Sequence, residues 1–174
     1  AHRIAQLDQM SRGRINWGIG SGGFPGDLHV NGFDPKSGDN RKMTREAVEV
    51  VLQLWKNPEP GNYKSAWWDF NIPEPEGDIA LRVHLKPYQE PHPPIGVAGV
   101  SPKSETLAMA GRRGWLPMSI NFVPEPMLRS HWLAVEEGAS SAGTSADRKN
   151  WRISREVIVA DSSKEARKQA LTGT

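Results

Sequence analysis

The sequence has no cysteine among its 174 residues. This absence excludes disulfide bonds, thiolate catalysis and the usual cysteine zinc ribbons, and it is typical of proteins in a reducing cytoplasm. Long apolar runs are missing as well, since no stretch approaches the roughly 20 apolar residues that a membrane helix needs, and we expect no signal peptide. We therefore expect a cytoplasmic protein with no membrane partner.

An excess of either charge is also missing. Lysine and arginine together number 22, aspartate and glutamate together number 20, and the formal net charge is only +2. The basic residues occur in short pairs, such as Arg112-Arg113 and Arg148-Lys149, rather than in the patches that bind nucleic acid. We expect no nucleic-acid partner.

Histidines are few and scattered. None of the five has a metal-ligand spacing such as H-E-x-x-H, and none stands with a carboxylate in a recognisable triad. The sequence therefore indicates no metal site and no catalytic triad, and the histidine of the later helix is expected to be structural or solvated. The five are His2, His29, His84, His92 and, in that helix, His131.

The most conspicuous motif that is present is "GIGSGG" at residues 18–23, which fits the G-x-G-x-x-G pattern of a dinucleotide-binding turn. Such a turn needs a helix that opens on its last glycine, because the pyrophosphate rests on the first amides of that helix. Here "FPGD" follows at residues 24–27, and we expect no helix to start there. The sequence instead predicts a long polar loop over residues 21–43, so the glycines alone do not indicate a dinucleotide site.

Strand and helix patterns alternate along the chain. A helix tail, with an apolar side made of Ile4, Leu7 and Met10, precedes a strand over residues 14–20. Further strands are predicted for "PPIGVAGV", "WLPMSINF" and "WRISREVIVA", and an irregular or hairpin excursion packed by aromatic side chains is predicted for residues 57–93. The alternation favours a parallel sheet covered by helices, either an open doubly wound sheet or part of a (β/α)₈ barrel.

Each strand leads into a helix with a recognisable start or stop. Thr44 is predicted to cap "REAVEVVLQLWK", and Ser101-Pro102 to open a helix that ends at Gly114. The remaining helices are predicted over residues 124–143 and after the capping box at Ser162. In the helix after Thr44, the buried stripe is expected to comprise Ala47, Val50, Val51 and Leu54.

Four strands cannot close a barrel, which takes roughly 250 residues. The first residues also look like the end of a helix, and the last ones like the beginning of another. We therefore expect the chain to be a fragment of a longer protein.

Several stretches, in their order and spacing, resemble the bacterial luciferase-like flavin monooxygenases, in particular the limonene 1,2-monooxygenase-like and alkanal monooxygenase-like branch. They include "LDQMSRGRINWGIGSGG", "REAVEVVLQLW", "LKPYQEPHPPIGVAGVSPKSETLAMAGRRGWLPMSINF" and "HWLAVEEGA". The resemblance implies that residues 1–174 form a single partial TIM-barrel domain containing about strands four to seven. It thereby favours the barrel over the open sheet.

The resemblance also implies a chemistry. A separate flavin reductase would supply reduced FMN or FAD, which with O₂ would oxidise a small apolar organic substrate, and the chain would form a homo-oligomer. The catalytic histidine of the family comes from earlier strands, so we name no catalytic residue. Two alternatives stay open: a deazaflavin-dependent oxidoreductase of the same fold, and a non-catalytic flavin-binding or structural remnant.

The implied site residues lie at three strand ends. Gly20, Ser21 and Gly22 would let backbone approach the flavin, although an arginine that helps hold the phosphate in the family has no counterpart near Ser21. At the second strand end Gly99, Val100 and Ser101 would bind the flavin phosphate, and a plain serine cap on a helix remains an alternative there. At the third, Asn121 and Phe122 would lie beside the isoalloxazine ring, and packing at the top of the barrel remains an alternative for Phe122.

Two further residues are candidates for substrate contact. His29 lies in the loop predicted after the glycine motif, where barrel loops carry function. Trp68 belongs to the Trp67-Trp68 pair, which would line an apolar substrate pocket or simply pack the excursion.

Overall fold

The computed structural model describes residues 1–56, 59–78 and 85–172. These form two compact units, Ala1–Gly96 and Val97–Thr174. No helix of the described chain is both long and apolar enough to span a bilayer. His84 and parts of the predicted excursion, residues 57–58 and 79–84, lie outside the described residues.

The first unit mixes helices with short strands. Its first strand, at residues 17–19, lies beside the segment just before the strand at residues 95–99, since the Trp17 N–H donates to the Pro94 carbonyl at 2.8 Å. Two other strands form an antiparallel hairpin in which Tyr63 stacks on Phe70 with ring centroids 5.4 Å apart. The elements are α1 (His2–Ser11), β1 (Trp17–Ile19), α2 (Pro25–Val30), α3 (Asp39–Trp55), β2 (Gly61–Lys64), β3 (Asp69–Ile72) and the start of β4 (Ile95–Gly99).

The buried face of α1 differs from the prediction. Ala5 and Asp8 are fully buried, whereas Leu7 and Met10 are 56% and 73% exposed. The reason is a polar contact from 81 residues away: the Asp8 carboxylate accepts hydrogen bonds from the backbone N–H and the side-chain amide of Gln89, each at 2.8 Å. These bonds offset the cost of burying the carboxylate and turn this side of the helix inward.

The predicted loop over residues 21–43 is wrong in two places. The helix α2 begins at Pro25, because proline at the first helical position lacks only an N–H that would have no partner there. The helix α3 begins at Asp39, after Gly38 in the left-handed conformation, and Thr44 lies inside it with its hydroxyl donating to the Asn40 carbonyl. The buried face of α3 also differs from the predicted one. Its fully buried apolar residues are Val48 and Trp55, while the predicted Ala47, Val50, Val51 and Leu54 are half-buried.

In the second unit strands and helices alternate, and β4 is followed by α4 (Glu105–Arg113), β5 (Leu116–Ser119), α5 (Glu125–Ser141), a 3₁₀ turn (Arg148–Asn150), β6 (Arg152–Ile153) and α6 (Ser163–Thr172). The strand order is β4, β5, β6. Strand β5 pairs with β6 in parallel, and Ser119 lies opposite Ile153. Gly114 ends α4 in the left-handed conformation and Ser162 accepts a hydrogen bond from the Glu165 N–H before α6, so both predicted helix boundaries are confirmed.

Helices α4 and α5 pack closely because glycines lie at their crossing. A Cβ at Gly138 would fall 1.9 Å from the Ala108 carbonyl oxygen, and one at Gly111 would fall 2.1 Å from the Val135 carbonyl oxygen. Neither position leaves room for a side chain. The packed helices enclose a core of Leu107, Trp132, Ala134 and Val135.

Strand β6 is much shorter than "WRISREVIVA" predicts. It has two residues, and Val157 and Val159 beyond it are 77% and 86% exposed. Among the described residues β6 has only β5 as a neighbour. Alternating apolar residues favour a strand only where a partner supplies ladder hydrogen bonds and a surface to pack on, so the pattern alone predicts too long an element here.

Candidate functional site

The predicted residues of the second unit lie just beyond β4 and β5. Gly99 ends β4 and is buried, and Val100 next to it is 65% exposed. Beyond β5, Asn121 is exposed and Phe122 is 83% exposed. The unit thus presents large apolar side chains to solvent at the carboxyl ends of neighbouring strands, which is the location of active sites in (β/α)₈ barrels.

A buried histidine connects these two strand ends. His131 of α5 is fully buried, its Nδ1 lies 2.9 Å from the Ser119 hydroxyl, and its Nε2 lies 3.0 Å from the Ser101 carbonyl oxygen. The Trp151 indole N–H donates to the same Ser119 hydroxyl at 3.0 Å. We name Trp151, Ser119, His131 and Ser101 the His131 network.

For a neutral imidazole, the donors and acceptors of the His131 network allow one consistent arrangement. A carbonyl oxygen only accepts, so Nε2 of His131 carries the proton and donates to Ser101. The Ser119 hydroxyl accepts from Trp151 and donates to Nδ1, which is an acceptor in this neutral tautomer. Burial lowers the pKa of His131 from 6.5, against the opposing effect of its hydrogen bond to the Ser101 carbonyl, so the neutral form is favoured.

His131 was expected to be structural or solvated, and it is not solvated. The signal that would have revealed the network was weak, since Ser119 and His131 are twelve residues apart and Trp151 lies twenty residues beyond His131. A strand-terminal serine followed by a helical histidine carries no recognised motif. Only the packing of α5 against the strands brings these groups together.

The predicted helix start at Ser101-Pro102 is wrong. Helix α4 begins at Glu105, and its cap is Ser104, whose hydroxyl accepts from the Leu107 N–H. Residues 101–103 form a turn in which Lys103 has a left-handed φ of 50°. The Lys103 N–H donates to the Ser130 hydroxyl at 2.8 Å, and this contact with α5 holds the turn out of the helix. Ser101 therefore lies before the helix and contributes its carbonyl to His131 instead of a cap.

Gly99 is explained by packing within the unit. A Cβ there would lie 2.5 Å from a Leu107 methyl and 2.9 Å from the Ser104 hydroxyl. The glycine lets β4 pass close to the start of α4. Its lack of a side chain is thus required by the fold, whatever it contacts on its other side.

The end of β6 contributes polar groups beside β5. The Asn121 side-chain amide donates to the Glu156 carboxylate at 3.4 Å, and the Arg155 guanidinium donates to the Ile120 carbonyl at 3.4 Å. The Ser154 N–H also donates to the Ser119 carbonyl at 2.9 Å. The segment that carries Asn121 and Phe122 is therefore held by contacts with residues 154–156.

In the first unit, the predicted residues Gly20, Ser21 and Gly22 follow β1. The Asn40 side-chain amide donates to the Ser21 and Gly22 carbonyls at 2.9 and 3.2 Å. Gly22 has a φ of 72°, which favours glycine. Buried Asn40 was not identified from the sequence. No sequence pattern indicates that a polar residue near the start of a helix holds a loop eighteen residues earlier.

The predicted substrate residues also lie in the first unit, on separate elements. His29 is exposed on α2. Trp68 is half-buried in the hairpin turn, and its buried indole nitrogen is without a hydrogen-bond partner among the described residues. Neighbouring Trp67 contacts Phe33, with ring centroids 6.2 Å apart.

The described residues contain no group of three or more histidine, aspartate or glutamate side chains able to hold a metal ion. The exposed groups suit a flavin better. Val100 and Phe122 offer apolar surface for a ring system, and the exposed turn at residues 101–103 lies directly beside Val100. In chemical character these residues fit a bound flavin.

The family model described as luciferase-like monooxygenase matches residues 1–174. Among curated relatives, 3,6-diketocamphane 1,6-monooxygenase of Pseudomonas putida is 31% identical, covering 99% of this chain and 50% of the relative. Limonene 1,2-monooxygenase of Rhodococcus erythropolis is 32% identical, covering 96% and 40%. The chain thus spans about half the length of the curated relatives it matches.

Solved structures agree with these relatives. The oxygenating constituent of the Pseudomonas putida 3,6-diketocamphane monooxygenase, a type II Baeyer-Villiger enzyme in complex with FMN, matches with a TM-score of 0.83 at 31% identity. That match covers 98% of this chain and 47% of the other. An F420-dependent secondary alcohol dehydrogenase matches with a TM-score of 0.64 at 26% identity, covering 87% and 42%. The predicted fold, part of a luciferase-like (β/α)₈ barrel, is confirmed.

Proposed function

Because this chain belongs to the luciferase-like monooxygenase family, we propose that the protein containing it is a flavin-dependent monooxygenase. It uses reduced FMN and O₂ to oxidise a small apolar organic substrate. The observation that carries the proposal is the pair of exposed apolar side chains, Val100 and Phe122, at the ends of neighbouring strands joined by the His131 network.

Reduced flavin, when bound, supplies the two electrons that let one atom of O₂ enter the substrate while the other leaves as water. The protein binds the flavin, excludes water and positions the substrate. In this proposal Phe122 packs beside the ring system, and Asn121 donates a hydrogen bond to a ring heteroatom once its weak contact with Glu156 is released. Val100 and Ser101, together with Gly99, form the phosphate end.

The first unit carries the other residues of the proposal. Gly20, Ser21 and Gly22 let their backbone approach the flavin, and Asn40 holds that backbone in place through two carbonyl oxygens. His29 and Trp68 contact the substrate. His29 is exposed on α2, whereas Trp68 is half-buried in the hairpin turn.

The proposal includes a flavin reductase as partner, self-association into a homo-oligomer and a cytoplasmic location. Support for the reductase comes from the relative described as an oxygenating constituent, since a constituent that oxygenates needs a source of reduced flavin. FMN is preferred over deazaflavin because the FMN-bound relative is more similar to this chain, in both fold and sequence, than the F420-dependent one. It is preferred over FAD because FMN is the flavin bound in that relative.

The test uses the protein that contains this chain, with NADH, a flavin reductase, FMN and ¹⁸O₂. A cyclic ketone and a cyclic terpene alkene serve as substrates, chosen because relatives act on diketocamphane and limonene. We expect one ¹⁸O atom in the lactone or epoxide, detected by mass spectrometry. The variant Phe122→Ala should weaken FMN binding, whereas Leu133→Ala, an exposed apolar residue on α5, should leave it unchanged.

Two results would replace this proposal with an alternative. Alcohol oxidation with F420 and without O₂ uptake would indicate the deazaflavin-dependent oxidoreductase. Absence of binding to FMN, FAD and F420 would indicate the non-catalytic remnant.

A further inference from the structure

We propose that His131 is a positioning residue of the flavin site, which holds the turn after β4 in its binding conformation through the Ser101 carbonyl. This role rests on the proposed function, because it concerns the same strand ends. His131 itself is fully buried, which leaves none of its surface for a bound ligand. It acts through the backbone next to Val100.

The two ends of the His131 ring have different tasks. Ser119 belongs to β5, lies in register with Ile153 of β6, and accepts a bond from the Ser154 N–H through its carbonyl. Its backbone is therefore held by the sheet without His131. Ser101 lies two residues beyond the end of β4, so the sheet does not supply a partner for its carbonyl, and His131 does so at 3.0 Å.

The Ser119 side of the ring serves to orient it. The Trp151 N–H donates to the Ser119 hydroxyl, whose own proton can then be donated to Nδ1 of neutral His131. An Nδ1 that accepts leaves the proton on Nε2, where it points at Ser101. The network thus determines the tautomer and aims one donor at the turn that carries Val100 and Ser101, in the manner of groups that orient a functional histidine.

This arrangement yields an asymmetric test. In His131→Asn the side-chain oxygen takes the place of Nδ1 and still accepts from Ser119, but nothing reaches Ser101. In His131→Gln the terminal amide takes the place of Nε2 and still donates to Ser101, while the contact with Ser119 is lost. A residue that only fills the core would respond to both changes through stability alone.

The dissociation constant of oxidised FMN, measured by quenching of its fluorescence, is compared with the melting temperature in the same samples. We expect His131→Asn to weaken FMN binding about tenfold and His131→Gln to stay within about threefold of the unmodified protein. The matched control is Val135→Ala, one turn along α5 in the core with α4. It should lower the melting temperature and leave FMN affinity within about twofold.

Equal weakening of FMN binding by the two His131 variants, or none by either, would overturn the positioning role while leaving the proposed function in place. An unmodified protein that binds no FMN would overturn both. Should either variant fail to fold, nitrogen NMR of the His131 ring in the unmodified protein decides. A proton on Nε2 together with a Ser101 amide shift upon FMN addition supports the role, and a proton on Nδ1 or an unmoved Ser101 overturns it.

Discussion

The close crossing of α4 and α5 makes Gly138→Ala a sharp test of the packing in the second unit. The added Cβ would lie 1.9 Å from the Ala108 carbonyl oxygen, where ordinary contact begins at 3.4 Å. That oxygen belongs to helix backbone and cannot rotate away, so the helices must separate by roughly 1.5 Å at this point, or tilt by an equivalent amount. Separation would loosen the contacts of Leu107, Trp132 and Val135 across the crossing.

Two opposing terms determine the magnitude. Alanine is favoured over glycine in a helix interior by about 1 kcal/mol, which would stabilise the variant if there were room for the methyl group. Overpacking of a core costs about 1–3 kcal/mol, and a backbone clash belongs at the upper end of that range or above it. We expect a net loss of about 2 kcal/mol in the free energy of unfolding, or a melting temperature roughly 4–8 °C lower.

The assay is urea unfolding followed by circular dichroism, with thermal melts of the same samples. The control is Ser140→Ala, which adds no atoms on the exposed side of the same helix and should stay within about 0.5 kcal/mol. A Gly138→Ala protein as stable as the unmodified one, or more stable, would refute the close approach of the two helices.

Three further predictions follow from other contacts. Burial lowers the pKa of His131 from 6.5, so as the pH falls the unfolded chain binds a proton before the folded one does. The free energy of unfolding should therefore be highest above about pH 6.5 and decrease as the pH falls below that value. Urea titrations at pH 7.5 and 5.5 should show a smaller difference in stability for His131→Gln than for the unmodified protein. Gln89→Ala removes the side-chain donor to buried Asp8 and to the Ile15 carbonyl and should lower the free energy of unfolding in urea by about 2–3 kcal/mol. The control Gln9→Ala loses one exposed hydrogen bond and should lower it by less than about 0.5 kcal/mol. Equal losses would contradict the explanation given for the buried face of α1. Ser104→Ala removes the cap of α4 and should lower the free energy of unfolding by about 1 kcal/mol. Ser101→Ala should have almost no effect, because Ser101 contacts His131 through its backbone carbonyl, which the substitution keeps. A lower melting temperature for Ser101→Ala than for Ser104→Ala would support the predicted cap at Ser101 instead.

The His131 network and the Asn40 contacts share one feature. In each case a buried polar side chain on a helix holds the backbone just beyond the end of a strand, through carbonyl groups that lie beyond the regular ladder. These loops carry the predicted cofactor residues. Substitutions of the two helical anchors should therefore affect flavin binding although neither is exposed at the site.

The sequence by itself determined the features that arise within a few residues. Gly114 ends α4 and the capping box at Ser162 begins α6 because left-handed φ angles and cap hydrogen bonds involve only neighbouring residues. The alternation of apolar strands and amphipathic helices indicated an α/β fold for the same reason. The family resemblance then favoured the barrel over an open sheet, a choice that local periodicity leaves open.

Tertiary structure alone decided which partners meet across long separations in the chain. The Lys103 N–H donates to the Ser130 hydroxyl on α5, and the cap of α4 is Ser104 instead of the predicted Ser101. Gln89 turns Asp8 inward on α1, and α5 brings His131 between Ser119 and Ser101. A buried polar group is stable only with its hydrogen-bond partner, and that partner is chosen by how the elements pack rather than by neighbouring residues.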